Sequence, residues 1–477
     1  MRFVFSPTRL TRALQQALGS LGLVCASAAL AGTAAPGTPA AAAPASTPAA
    51  APGAVSASAL TRAQADKVVH FADYLQAVEA HSLELQAQHT TITAAEAGVG
   101  IAGIRPDPEL SMEWERERVR TGLPRPTTFT PTLSWEVETG GKRSARIRTA
   151  KSQVRLTQAE VDGFRNNLFN DAATAFAEAC RTRDVLARKE QTLKALGEVV
   201  RANEVRRKAG DVGGVELLQS RVERDQFAAD VVAARADAQA ALLALSVPLS
   251  RRMAEVLGTG QGDVALACDF TPFAQGDDVQ TLLPEALRAR SDIRIAEATL
   301  ANARDKAEQA HAERWVNPTV SVGVGRTPGY AAGVGSDGEA YDAAQRSRIL
   351  KVGVSVPLPL SRLNKGSLIQ AEAEVTQAML ELEQARHKTE AEVRSAQFRF
   401  LAARDNVQRY RSGVLADAQK VLDGIRLSYR HGAASLLELL AAQRSADEAY
   451  QAYLQAQADL AAATVQLQLS VGQRPTL

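Results

Sequence analysis

Four short stretches of the chain alternate between apolar and polar residues. Leu110, Met112 and Trp114 interleave with Ser111, Glu113 and Glu115, and Leu133, Trp135 and Val137 with Ser134, Glu136 and Glu138. Further on, Val320, Val322 and Val324 interleave with Ser321, Gly323 and Gly325, and Leu350, Val352, Val354 and Val356 with Lys351, Gly353 and Ser355. A period of two puts alternate side chains on opposite faces, so each stretch predicts a strand with one apolar face. The rest of the pattern is helical. Stretches 65–103 and 283–314 end at Arg105-Pro106, Asp107-Pro108 and Asn317-Pro318, where proline disfavours helix in the residue before it. No proline occurs from Thr132 to Val247 or from Leu360 to Arg474. The run 145–209 predicts one helix of about 97 Å at 1.5 Å per residue. Gly210, followed by Asp211-Val212-Gly213-Gly214, marks a reversal, and the return helix runs to residue 246 and stops at Pro248. A second helical hairpin turns at Gly432, and small residues such as Ala449, Ala452 and Ala456, with Tyr453, share one stripe that suits antiparallel coiled coils.

The order of elements repeats. Pro108 to Met112 resembles Pro318 to Val322 at an offset of 210, and Gly210 with Val215-Glu216-Leu217-Leu218 matches Gly432 with Leu437-Glu438-Leu439-Leu440 at an offset of 222. The 12 extra residues are placed in 326–348, against a shorter counterpart at 119–131, because surface loops tolerate insertion. Two units follow, 65–250 and 282–474, joined by a linker at 251–281.

Before them, residues 1–31 predict a secretory signal: Arg2, Arg9 and Arg12 form the positive end, 17–31 is apolar and small, and Ala29-Leu30-Ala31 suits a signal peptidase. Lipid attachment at Cys25 is the alternative, against which Gly22 and Val24 depart from a lipoprotein box. Residues 32–60 form an Ala/Pro-rich linker. A formal net charge of +2 argues against a nucleic-acid partner. No segment past the N-terminus reaches the ~20 apolar residues of a spanning helix, which leaves open a membrane protein built from strands. The three cysteines match no metal knuckle. Cys180 falls in a predicted coiled coil and Cys268 in the linker, and their pairing is open. His70, His81 and His89 share a predicted helix without chelating spacing, and no catalytic or phosphate-binding motif is present. The chain is expected to be neither an enzyme nor a holder of a cofactor or resident metal.

Four strands cannot close a barrel, and an open edge cannot sit in lipid. Either the hairpins form a small sheet, or several chains pool them; three chains give twelve strands and twelve long helices. The duplicated hairpins, the Pro-x-Leu and Pro-x-Val strand entries and the reversal followed by Leu-Leu resemble an outer-membrane factor of tripartite efflux, the TolC-like family, over residues 65–474. The run Trp135-Glu136-Val137-Glu138-Thr139-Gly140-Gly141-Lys142-Arg143 resembles the CzcC-like heavy-metal branch. The resemblance implies a mainly α fold with a β-barrel portion: a homotrimer with a 12-stranded outer-membrane barrel and a 12-helix periplasmic tunnel. It also implies outer-membrane lipid around the barrel, a periplasmic membrane-fusion adaptor, an inner-membrane RND pump, and export of divalent heavy-metal cations. A duct for organic drugs or secreted proteins, and a periplasmic coiled-coil protein without a pore, are the alternatives.

Several residues carry expectations within that frame. Glu113, Glu115, Glu136 and Glu138 should face the lumen and favour cations; alternatively they are ordinary lumen polarity, neutralised by Arg116, Arg118 and Lys351. The resemblance places Glu438 in an aperture ring and pairs Glu216 with a tyrosine, here Tyr429, that holds the closed state. Ala434 stands where an arginine is common, and Arg430 is a substitute. The alternative is that both glutamates simply favour helix starts. Gly210, Asp211, Leu217, Leu218, Gly432, Leu439 and Leu440 are adaptor-docking tips by resemblance, or turn and coiled-coil residues by packing alone. Gly140 and Gly141 relieve the strand-to-helix corner, Lys142 and Arg143 are expected to meet headgroups, and Trp315 fits an aromatic girdle.

Overall fold

The computed structural model describes residues 68–116, 124–257, 265–270, 278–336, 338–358, 360 and 365–477. The leader 1–31, the segment 32–60, Cys25, Arg118 and parts of the linker lie outside the described residues. Each repeat opens with two helices. The stretch expected as one helix at 65–103 is α1 (Phe71–His81) and α2 (Leu83–Ala102), parted at Ser82, whose hydroxyl accepts from the Leu85 amide and starts the second helix. Its counterpart is α7 (Val279–Ala289) and α8 (Ser291–Glu313), parted at an extended Arg290.

β1 (Glu109–Arg116) and β2 (Thr127–Glu136) form the first hairpin, and β3 (Thr319–Thr327) and β6 (Ser347–Ser355) the second. The loop between β3 and β6 carries a two-residue hairpin, β4 (Gly333–Val334) with β5 (Ala340–Tyr341). The four long strands make one antiparallel sheet in the order β1-β2-β3-β6, which leaves β1 and β6 as open edges. β2 begins at Thr127, before the point where the alternation predicts it, and runs through Pro131. Its ladder to β3 skips Thr130 and Pro131 and resumes at Thr132↔Gly323, which is how a proline without an N–H is accommodated in an inner strand. The longer loop of repeat 2 holds 10 of the 12 extra residues, since β6 and β2 start 220 apart, and the other two enter between β6 and the helical tip.

The long helices follow. α3 (Lys142–Ala209) is an unbroken 68 residues, about 102 Å, and α4 (Gly214–Ala244) returns along it. One window within Gly214–Leu249 is apolar enough to cross a membrane by composition, a departure from the expectation above. Its alanines are the reason, and Ala234, Ala238 and Ala241 are packing positions. α5 (Ser246–Leu249) tolerates Pro248 in its first turn, and α6 (Met253–Leu257) follows. In repeat 2, α9 (Gly366–Arg409) passes through a π-helical turn, Tyr410–Val414, into α10 (Leu415–Arg430), and α11 (Leu436–Val471) returns.

Nearest the sheet, the wall runs α2-α3-α8-α9 side by side; farther away, α4, α3, α11 and α10 continue it. The core lies where the two walls meet. There α1 buries Phe71, Tyr74 and Leu75 against Phe169, Phe176 and Leu245, while α7 buries Leu282 and Ala286 against Val393, Phe400 and Leu467. The Cys180–Cys268 disulfide, left open by the sequence, is present at this level, joining residues 88 positions apart. It straps the linker to α3, and the linker in turn pairs with the chain entry through Val69↔Leu266.

Candidate functional site

The strand register sorts the sheet into two faces. Glu113, Glu115, Thr128, Thr130, Thr132, Ser134, Glu136, Ser321 and Lys351 fall on one; Leu110, Met112, Trp114, Leu133, Trp135, Val320, Val322, Val324, Leu350, Val352 and Val354 fall on the other. Glu113, Glu115 and Glu136 thus share the polar face. Glu138 does not, a correction to the sequence expectation. It lies beyond β2 and takes a two-pronged grip from Arg146, whose hydrogen bond and charge hold its carboxyl below the usual range.

That ion pair belongs to the corner where strand becomes helix. Asn317 is its hub: its amide nitrogen donates to Glu136 Oε1 at 2.7 Å, and its oxygen accepts from Lys142 Nζ at 2.6 Å and the Thr139 amide at 3.3 Å. Lys142 is only 7% exposed. Its ammonium is spent on Asn317, so the expected headgroup contact is overturned for this residue. Arg143 is exposed and donates to Gly103 O at 2.7 Å. Gly140 has φ +66°, and a Cβ there would collide with the Trp315 ring. The glycine is needed for the tryptophan as well as for the turn. Trp315 itself is 63% exposed.

At the far end, Gly210 adopts φ +89° and Gly432 φ +72°, so both reversals use left-handed backbone. The structure brings Glu216 and Tyr429 together. The Tyr429 hydroxyl is 2.9 Å from Glu216 Oε1 and 2.7 Å from Asn203 Oδ1. One hydroxyl proton cannot serve both, and the buried Asn203 Nδ2 has no partner. Turning the amide over lets Nδ2 donate to the Tyr429 oxygen while the hydroxyl donates to Glu216. Burial, then the Glu216 hydrogen bond, pushes the Tyr429 phenol up. Arg206 lies over its ring at 5.3 Å, a partner the sequence did not suggest in place of Arg430.

Glu438 takes no part in this cluster. It closes a capping box with Ser435, accepting from that residue's amide at 2.7 Å, which holds its carboxyl below the usual range. Leu439 and Leu440 are buried with Leu196, Leu422, Tyr429 and Leu436, so their first role is packing, whereas Asp211 and Leu218 are exposed and Leu217 is half-buried. Val215 and Leu437, 70% and 77% exposed, are surface residues outside the expected set of docking tips. With Leu218 and Val222 they line a groove of about 490 Å³ between α4 and α11.

A further cluster joins the repeats. Buried Asp447 on α11 accepts from Arg188 Nε at 2.9 Å and Thr192 Oγ1 at 2.9 Å on α3, and from Gln443 Nε2 at 3.0 Å. Gln443 Oε1 accepts from Arg426 on α10 at 2.6 Å. Among the described residues, no group of three or more His, Cys, Asp and Glu is arranged to hold a metal ion.

The sequence profile of the family described as outer membrane efflux protein matches residues 74–249 and 282–473. The cobalt-zinc-cadmium resistance protein CzcC of Cupriavidus metallidurans is 26% identical over 377 residues, 78% of this chain and 82% of its own length. Among solved structures, the outer membrane protein VceC of Vibrio cholerae superposes with a TM-score of 0.65 at 18% identity, covering 84% of this chain and 96% of that one. The open-state outer membrane channel MtrE of Neisseria gonorrhoeae gives 0.64 at 18%, covering 84% and 89%. A duplicated strand-and-helix hairpin, an apolar sheet face with open edges and a profile spanning both repeats lead to one conclusion: the chain belongs to the outer membrane efflux protein family, outer-membrane ducts with a periplasmic helical extension that transport and do not catalyse.

Proposed function

We propose that three copies pool their sheets into a 12-stranded barrel and their helices into a 12-helix periplasmic tunnel, forming the exit duct of a tripartite pump for divalent heavy-metal cations. The open sheet carries this reading: one face is apolar along all four strands, yet among the described residues β1 and β6 have no outer partner. Lipid leaves no alternative to pairing those edges. They complement each other in charge, since the polar face of β1 bears Glu113 and Glu115 and that of β6 bears Lys351. Two copies would give eight strands, whose interior fills with side chains; three leave a lumen.

The cargo rests on the likeness to CzcC, whose name states cobalt, zinc and cadmium resistance, and on three acids per copy facing the lumen. The Tyr429–Glu216–Asn203 cluster is the closing latch at the periplasmic entrance. The tips around Gly210, Asp211, Leu217, Leu218 and Gly432, with the groove of Val215 and Leu437, receive the periplasmic adaptor, which links the duct to an inner-membrane RND pump. Deleting the gene should lower tolerance to cobalt, zinc or cadmium salts and leave tolerance to organic drugs unchanged. The reverse pattern would defeat the metal assignment while leaving the duct in place.

A further inference from the structure

The apolar face of the sheet ends in a row of arginines. Along one row across the four strands lie Trp114↔Phe129, Phe129↔Arg326 and Arg326↔Arg348. The rows on the helix side of it hold Met112, Pro131, Val324 and Leu350, then Leu110, Leu133, Val322 and Val352. Arg116 sits at the last position of β1 on the same face, and Arg346 immediately precedes β6 with the same alternation. All four arginines are exposed, and none has an ion pair among the described residues.

Arg326 and Arg348 are cross-strand neighbours on one face, with Cβ atoms roughly 5 Å apart by strand geometry. Like charges so placed repel, and on the lipid side of a barrel a cation is costly except near an interface. The row does lie at an interface. It is on the side of the sheet away from the helices, at the end where β1 passes to β2 and β3 to β6. From Val356 to Arg348 the strand advances eight residues, about 27 Å along its axis and about 20 Å in height at a 40° tilt, comparable to an outer-membrane apolar band. Trp114 and Phe129, with ring centroids 5.1 Å apart, lie beside the pair as an aromatic girdle residue would. Two adjacent guanidinium forks match a phosphate, each able to donate two parallel hydrogen bonds.

We propose that Arg326 and Arg348, flanked by Arg116 and Arg346, form a binding site for the phosphate of an anionic glycolipid headgroup in the outer leaflet. The site rests on the barrel reading, which turns this face to lipid. The anion removes the Arg–Arg repulsion and pins the barrel at its outer rim.

The test uses the full-length protein in nanodiscs containing either a phosphorylated or an enzymatically dephosphorylated lipid A, with bound lipid counted by native mass spectrometry. The expectation is at least tenfold preferential retention of the phosphorylated lipid, lost in the double variant Arg326→Gln/Arg348→Gln and partly kept in Arg326→Lys/Arg348→Lys. In lipid-free neutral detergent the Gln variant should melt at or above the wild-type temperature, because it removes repulsion; this also verifies that it folds. Equal retention of both lipids, unchanged retention by the Gln variant, or equal stabilisation by inorganic phosphate alone would overturn the assignment. Failure to recover any oligomer in nanodiscs would instead count against the barrel reading on which it stands.

Discussion

At the scale of single residues, two polar clusters hold the helical end together by different means. Tyr429 reaches across to α3 and α4 through Asn203 and Glu216. If this is the latch, Tyr429→Phe and Glu216→Gln should each raise single-channel conductance in planar bilayers, and unchanged conductance would dismiss the assignment. The phenol is held above its ordinary value of about 10. A raised phenol contributes its full stabilisation below that value and loses it as pH rises through the folded-state value. The latch should therefore hold at neutral pH and weaken in alkali, read as conductance rising above about pH 10 in wild type but not in Tyr429→Phe. The Asp447 cluster is instead a buried anchor. Asp447→Ala strips the partner from half-buried Arg188 and should cost about 3 kcal/mol, measured by denaturant unfolding followed by helical circular dichroism. The Tyr429–Glu216 contact was anticipated through the family resemblance, with the tip glycines locating the two positions. Arg188 and Asp447 are 259 residues apart, and nothing local links them.

At the scale of elements, the strands and long helices were legible because each carries a clean period. The failures have local causes. Pro131 falls in the loop segment expected at 119–131, yet it sits in β2 where the ladder to β3 is interrupted. Ser82 and Arg290 read as helix interior, yet each parts two helices. The π-helical turn Tyr410–Val414 leaves no mark in composition, and its counterpart in repeat 1 is an unbroken helix. The repeats thus differ in stiffness as well as in loop length: the disulfide fastens repeat 1 at the level where the two helical walls meet, and among the described residues repeat 2 has no equivalent bond. A sequence separation of 88 between the disulfide's ends corresponds to about 4–5 kcal/mol in the chain-entropy model. Cys180→Ser/Cys268→Ser should lower thermal stability and expose the linker to protease, and reduction of the wild type should do the same. Protease resistance that survives both treatments would show the strap to be dispensable.

At the scale of the whole molecule, both edges of the sheet are unpaired among the described residues. The acids on the polar sheet face then become a ring property. Replacing Glu113, Glu115 and Glu136 with Gln should shift the reversal potential in a salt gradient toward lower cation preference. Glu138, tied to Arg146, should contribute nothing when replaced alone. Four strands with one apolar face could be anticipated from the alternation, but the number of acids on the polar face could not, because only the register shows where β2 ends. The disulfide adds an order in time. A chain bound for the outer membrane crosses the inner one from its N-terminus, so Cys180 arrives long before Cys268. When the second thiol emerges, the whole first hairpin is across and the long helices of the second are not. Oxidation at that moment would lock the linker to α3 before the second repeat's long helices arrive to pack against it.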